Sequence, residues 1–221
     1  MPLLFAEEVT FRIPGASGPP LLDGVSLSVA RGELVDVTGT SGSGKSTLLR
    51  ALARLLPGCT GTLLLDGTPA GNIAPTRWRS RVALVPQKAV MRSGTVSDNL
   101  LHAWRLKIRT GQAPPSGAAL RLALDSVGLH EVELEHEATR LSVGQTARIA
   151  LLRSSLTCPD VLLLDEPDAN LDAESAESVS QVITRFLAEG GAVLRVCHFG
   201  SRLTPARRLR LQQGALTEVT P

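Results

Sequence analysis

Gly39-Thr40-Ser41-Gly42-Ser43-Gly44-Lys45-Ser46-Thr47 fits the pattern GxxxxGK[ST], and what lies on either side of it decides the fold. Upstream, residues 33–38 form a short, mostly apolar run that predicts a strand entering the loop. Downstream, Leu48, Leu49, Leu52, Leu55 and Leu56 share one helical face, and Pro57-Gly58 is expected to stop the helix. A strand, a glycine-rich loop and a helix in that order make a phosphate cradle. Backbone N–H groups at the helix N-terminus converge on phosphate oxygens, and glycines let the main chain come that close. Lys45 is then placed to neutralise β- and γ-phosphates, with the Ser46 hydroxyl as a magnesium ligand. The bland alternative, a flexible glycine turn, has no need of a strand and a helix on its flanks.

Working outward, strand-like alternation occupies residues 3–12 and 24–29, joined across a Gly-, Pro- and Ser-rich loop at 14–20, which predicts an N-terminal antiparallel β subdomain. Residues 81–85 and 161–164 are continuous apolar runs, as expected of strands buried on both faces of a parallel sheet. Residues 172–189 read as an amphipathic helix with Ala176, Val179, Ile183, Phe186 and Leu187 on one side, and 192–197 as a further strand. Two last strand-like pieces lie at 207–211 and 215–219. Alternating strands and helices predict an α/β fold with right-handed crossovers. Residues 95–140 differ: helical in pattern, without strand runs, and broken at 111–117 by Pro114-Pro115 and glycines. The expected organisation is a single domain over 1–221, with an α/β core at 1–86 and 157–221 and an inserted helical lobe at 87–156.

The run Val161-Leu162-Leu163-Leu164 leads straight into Asp165-Glu166. Carboxylates at the carboxyl end of a buried parallel strand face the crevice where such sheets bind ligands. Asp165 suits a magnesium ion, and Glu166 suits a general base that polarises water for attack on a γ-phosphate. The competing reading is a strand that merely surfaces there with its acids in water.

Composition narrows the class. A net charge of +2 over 221 residues is too small for bulk nucleic-acid binding, so no nucleic-acid partner is expected. Cys59, Cys158 and Cys197 are scattered, with no CxxC pair, which predicts reduced thiols rather than a disulfide framework or zinc site. Glu7 and Glu8 stand where a secretory signal needs positive charge and an apolar run, and no apolar stretch reaches the length of a membrane span. The expectation is a cytosolic chain whose membrane role comes through a partner.

With these pieces in order, the chain resembles the ABC ATPase family. Leu141-Ser142-Val143-Gly144-Gln145 is similar to the LSGGQ signature and precedes Asp165-Glu166, in the family's order. Gln87 resembles the Q-loop glutamine, Ala169-Asn170-Leu171-Asp172 the D-loop, and His198 the switch histidine. The resemblance implies a P-loop NTPase core that binds ATP and Mg2+ and hydrolyses the nucleotide. It implies that two copies close head-to-tail, each γ-phosphate held between one copy's residues 39–47 and the other's Ser142, Gly144 and Gln145. Lys45, Glu166, Gln87 and His198 then carry catalysis, with Ser46, Gln87 and Asp165 at the metal. By itself a histidine after a strand is more often a packing residue. The implied partner is a separate polytopic permease, with this chain peripheral on the inner face of the membrane and a second ATPase subunit, expected to be identical.

Three departures bear on function. The family's adenine-stacking aromatic corresponds to Ile13, and the chain has no tyrosine, while Phe11 is expected to face the opposite side by alternation. Val143 stands where the signature has glycine. Asp36 interrupts an otherwise apolar strand, and nothing near it in sequence accounts for it. The segment 88–112 carries Lys88, Arg92, Arg105, Lys107 and Arg109 against a single acid, Asp98, with His102 and Trp104 among them. It reads either as a surface for a membrane partner or as a solvated face with one packed tryptophan. Thr95-Val96-Ser97-Asp98-Asn99-Leu100, followed by Trp104, resembles ATPase subunits of small exporters implicated in iron or metal efflux. The alternatives are a non-transport ABC ATPase, or a phosphate-loop kinase lacking the signature and Q-loop.

Overall fold

The computed structural model describes residues 1–169, 171–197 and 203–219. In chain order its strands are β1 (Leu4–Phe11), β2 (Leu22–Val29), β3 (Leu34–Thr38), β4 (Thr60–Leu65), β5 (Thr68–Pro69), β6 (Val82–Val85), β7 (Val161–Asp165), β8 (Ala192–Val196), β9 (Arg207–Gln212) and β10 (Ala215–Val219). The helices are α1 (Lys45–Leu52), α2 (Pro75–Arg81), α3 (Val96–Leu100), α4 (Gly117–Asp125), α5 (Val143–Ser155) and α6 (Ala173–Ala188).

The strands form two sheets. One is antiparallel, in the order β2-β1-β4-β5. The other runs β10-β9-β3-β8-β7-β6, parallel from β9 to β6 and closed at one edge by the antiparallel β9–β10 hairpin. Every residue of β3, β7 and β8 is buried, as continuous apolar runs require when both faces of a parallel sheet are covered. One face, through Val35, Val37, Val161, Leu163 and Leu194, shares a core with Leu48, Leu49 and Leu52 of α1 and with the antiparallel sheet. The other, through Leu34, Leu162, Leu164 and Val193, packs on Ile149 of α5 and on Ile183 and Phe186 of α6. Phe11 lies in the first core while Ile13 is half exposed, but alternation is not the reason, since residues two apart in a strand share a face; β1 ends at Phe11 and Ile13 lies beyond it.

The helix after the phosphate loop is shorter than its leucines suggested. It ends at Leu52, and Arg54 takes a left-handed conformation at φ 55°. The Arg54 amide then donates to Ala51 O and that of Leu55 to Arg50 O, the paired bonds that close a helix C-terminus. An arginine accepts this backbone because its guanidinium donates to Ala70 O (2.6 Å) and Ile73 O (2.8 Å) and lies over Trp78. Leu55 is consequently outside the helix and 46% exposed. The face of α6 also differs from the periodic reading. Ser175, Ser178 and Ser180 are buried alongside Val179, Ile183 and Phe186, while Ala176 and Leu187 are only half-buried. Ser178 and Ser180 manage this by donating to the carbonyls of Glu174 and Ala176, four residues back.

Asp36 has its explanation in β8. Its carboxylate accepts two bonds from Arg195, Nε to Oδ1 at 2.9 Å and Nη2 to Oδ2 at 3.0 Å, between side chains that are 0% and 1% exposed.

Between β6 and β7 the chain is helical: α3, α4 and α5, with short 3-10 turns at His102–Arg105, Lys107–Arg109 and Ala138–Arg140. Among the described residues no helix is long and apolar enough to cross a membrane.

Candidate functional site

Parallel strands deliver their carboxyl ends to one edge of the sheet, and residues 39–47, Asp165, Glu166 and Gln87 lie there. Residues 39–47 leave β3, Asp165-Glu166 leave β7, and Gln87 follows β6 by two residues.

The loop is shaped by two glycines. Gly39 sits at φ 153°, where a Cβ would lie 2.4 Å from Leu211 O and 2.8 Å from Ser43 Oγ. Gly44 occupies the N-cap of α1 at φ 103° with no capping side chain, leaving the first N–H groups of the helix open to an anion. Lys45 is 8% exposed, and its ammonium donates to Gly39 O and Thr40 O, both at 2.9 Å, so the charge is already gathered at the loop. Ser43 Oγ is buried and, among the described residues, has no hydrogen-bond partner, a group that a phosphate oxygen would satisfy. These features fit a triphosphate.

Asp165 is 6% exposed at the end of β7. Glu166 follows at φ 49°, uncommon for a residue with a side chain, and its amide donates to Val196 O at 3.0 Å. That turn projects the Glu166 carboxylate towards β6, where Gln87 Nε2 donates to its Oε2 at 2.6 Å. The oxygens of Ser46, Asp165 and Gln87 are hard donors of the kind magnesium takes. Cys197, just past β8, is buried. Burial first and the neighbouring Asp36 carboxylate second push its thiol up to about 12.

Ser142, Gly144 and Gln145 are built differently. Ser142 is the N-cap of α5: its Oγ accepts from Gln145 N (3.2 Å), and its own amide donates to Gln145 Oε1 (2.9 Å). Gln145 Nε2 donates to Glu131 Oε1 at 3.2 Å. Gly144 packs against α6, where a Cβ would come 3.2 Å from Ser175 Oγ. Val143 is 73% exposed. The side-chain partners of Ser142 and Gln145 are therefore each other and Glu131, not the phosphate loop of the same chain. Asn170 and His198 lie outside the described residues.

Of the groups that hold this second surface in place, sequence reasoning missed Arg148 and named Asp172 only in the D-loop resemblance and at the start of a helix. Arg148 is 8% exposed and donates to Val127 O (2.9 Å), Gly128 O and Gly144 O, tying the first turn of α5 to the end of α4. Asp172 caps α6 by accepting from Ser175 N, and that bond holds its carboxyl below the ordinary range. An arginine inside an apolar helix face is the one signal that could have flagged Arg148.

In the basic segment, Arg105 pairs with Asp98, and Arg109 lies 5.1 Å from the Trp104 ring centre while donating to Thr157 O. A groove of about 640 Å³ runs between this segment and α2, lined by Thr76, Arg79, Ala103, Leu106, Lys107 and Ile108. Burial, then the charges of Arg92, Arg153 and Arg105, lower the His102 pKa.

Comparison with known proteins identifies the family and the fold. Residues 22–169 match the ABC transporter family model. The chain is 34% identical to the probable iron export ATP-binding protein FetA of Escherichia coli, covering 89% of this chain and 85% of that one. It is 36% identical to the lipoprotein-releasing system ATP-binding protein LolD of Bordetella pertussis, over 89% of this chain and 87% of the relative. It spans only 16% of the ABC-type transmembrane transporter verA of Clonostachys rogersoniana and 59% of Protein STAR1 of Oryza sativa, at 34% and 37% identity. A bacterial Atm1-family ABC exporter solved with ATP bound superposes with a TM-score of 0.83 at 26% identity, over 98% of this chain and 38% of the exporter. The α/β fold is thus that of P-loop NTPases, and the chain belongs to the ABC transporter family as an ATP-binding domain.

Proposed function

We propose that this chain is the ATP-hydrolysing subunit of a transporter, working as a nucleotide-closed dimer beneath a separate polytopic permease. The observation that carries the reading is the meeting of the phosphate loop, Asp165-Glu166 and Gln87 at one sheet edge, with Gln87 bonded directly to Glu166.

ATP would lay its triphosphate along residues 39–47, with the N–H groups of the first turn of α1 and the Lys45 ammonium facing the β- and γ-phosphates. Ser46, Asp165 and Gln87 would hold magnesium, which supplies charge neutralisation on the phosphate oxygens. Glu166 accepts a proton as a water oxygen attacks the γ-phosphorus. The bond to the β,γ-bridging oxygen breaks, releasing ADP and phosphate. Gln87 keeps the Glu166 carboxylate aimed at that water. His198 would contact the γ-phosphate.

The capped start of α5, with Ser142 and Gly144, would meet the γ-phosphate held by a second copy. That role suits a helix N-terminus whose side-chain partners lie outside its own phosphate loop. ATP therefore closes two copies and hydrolysis reopens them. The groove beside Leu106 and Ile108, rimmed by Arg79, Lys107 and Arg109, suits a permease segment placed near anionic headgroups. A place on the cytoplasmic face of the membrane follows. Iron or another metal is the proposed cargo, supported by the likeness to FetA and by residues 95–104. LolD is equally similar, so the cargo assignment stands or falls on growth of a deletion strain under metal stress, where unchanged tolerance across metals would sink it.

Affinity purification of the tagged chain from detergent-solubilised cells, followed by mass spectrometry, tests the transporter reading. A stoichiometric polytopic membrane protein is expected. Recovery of ribosomes, repair factors or no partner would favour a non-transport ATPase.

A further inference from the structure

We propose that the buried Asp36–Arg195 pair is a positioning device for hydrolysis, locking the strand that delivers the phosphate loop to the strand that anchors the Glu166 backbone. Asp36 and Arg195 are directly opposed in the parallel β3–β8 register, Asp36 three residues before Gly39 and Arg195 one residue before Val196, whose carbonyl accepts the Glu166 amide at 3.0 Å. The guanidinium does more than pair. Arg195 Nη2 also donates to Leu203 O at 3.4 Å, and three residues later the Ala206 amide donates to Leu34 O, beside Asp36 on β3. One buried side chain thus joins β3, β8 and the chain returning after residue 202.

Stability alone does not explain such a pair. On the face of the sheet that carries the pair, the neighbours along the two strands are Leu34, Thr38, Val193 and Cys197, all buried and none of them a charged group, so two aliphatic side chains would fill this layer without desolvating two charges. What an aliphatic pair lacks is direction. Two parallel N–H···O bonds fix how far β8 slides along β3, and the third bond fixes Leu203. Misplacement of reacting groups by about 1 Å can cost a hundredfold in rate, so register between these two strand ends bears on turnover.

The inference rests on reading residues 39–47 and Glu166 as a hydrolytic site, and the experiment separates the two. Removing one partner strands a buried charge and risks unfolding, so the test is the double variant Asp36→Leu/Arg195→Met. It is expected to melt at or above the wild-type temperature, keep KM for ATP within about twofold, and lose kcat by about tenfold. Asp36→Asn/Arg195→Gln, which keeps a directional hydrogen bond without charge, should recover kcat to within about threefold of wild type. Hydrogen exchange at residues 34–38 and 203–206 should be faster in the aliphatic variant and unchanged elsewhere. Wild-type kcat with unchanged exchange in the aliphatic variant overturns the proposal, as does a large fall in its melting temperature, which would make the pair a stability element. A wild-type protein that does not hydrolyse ATP refutes the hydrolytic reading instead, and the exchange pattern still decides whether the pair locks the two strands.

Discussion

Replacing Lys45 by alanine should lower two measurements, the melting temperature without nucleotide and the rise that nucleotide brings. Without nucleotide, the ammonium donates to Gly39 O and Thr40 O at 2.9 Å each. Charge-assisted bonds of this kind contribute about 1.5–3 kcal/mol when the carbonyls have no substitute. Here Thr40 is exposed and Gly39 half-buried, so water replaces much of the loss and the net cost falls to about 1–2 kcal/mol. For a chain of this length each kcal/mol moves the midpoint by about 2–4 °C, so the apo variant should melt about 2–8 °C below wild type. Mg·ATP at a hundred times its dissociation constant stabilises wild type by about 2.7 kcal/mol, a rise of about 5–11 °C by the same conversion. In Lys45→Ala that rise should vanish, because the charge facing the β- and γ-phosphates is gone. Lys45→Met restores the buried stem and part of the apo stability but none of the nucleotide response. Thermal denaturation followed by intrinsic tryptophan fluorescence, with and without Mg·ATP, reads all three. A full nucleotide-dependent rise in Lys45→Ala would refute the assignment of Lys45 to the triphosphate.

Three further outcomes are expected. Glu166→Gln should bind ATP while losing turnover by about 10²–10³-fold, in keeping with removal of a general base, and should accumulate as a dimer in light scattering; a monomer at saturating ATP would argue against closure of two copies. Cys197, with its thiol pushed up to about 12, is almost wholly protonated at pH 8, and thiolate is the attacking form, so iodoacetamide should label exposed Cys158 rapidly and Cys197 only after unfolding; fast native-state labelling of Cys197 by peptide mapping would contradict its burial. Ile13 is 50% exposed, and Ile13→Tyr should tighten ATP binding by about 1–3 kcal/mol if the base lies against that position; unchanged affinity in titration calorimetry would place the base elsewhere.

What could be read from the sequence follows the range of the interactions involved. The phosphate loop is legible because all of its requirements, the turn, the close approach and the charge, fall within nine consecutive residues. The parallel strands are legible because burial on both faces leaves an unbroken apolar run. By contrast, residues 60–80 gave no secondary-structure signal, although they hold β4, β5 and nearly all of α2. Thr60–Leu65 is largely exposed at its start and carries Gly61, and Pro75–Arg81 is basic throughout with Trp78 its one buried residue, so neither has a period to detect. Trp78 is nonetheless central: its Nε1 donates to Leu52 O at 2.8 Å, capping α1 from 26 residues away. Asp36 was visible only as an anomaly, because its partner lies 159 residues further on. Gln145 was legible as part of a signature, but its bonds to Ser142 and Glu131 were not.

The same distinction bears on how the site could communicate with the helical segment. Gln87 is bonded to Glu166 at one end of a short connection, and α3 begins only nine residues later. That connection is not loose at its far end. Asn99, 1% exposed on α3, accepts from Arg92 N (2.9 Å) and donates to Arg92 O and Thr95 O (both 3.0 Å), gripping the incoming chain through backbone groups. Thr95 and Asp98 then cap α3 reciprocally, and Asp98 pairs with Arg105 at the edge of the basic segment. A carboxylate that changes partner as γ-phosphate arrives would release or pull Gln87, and only residues 88–91 separate that movement from the chain held by Asn99. Because the grip is made to main-chain atoms, it constrains position whatever side chains the connection carries. The groove between α2 and residues 103–109 follows directly on this path, so a partner seated there would feel nucleotide state through a few fixed hydrogen bonds rather than through deformation of the core.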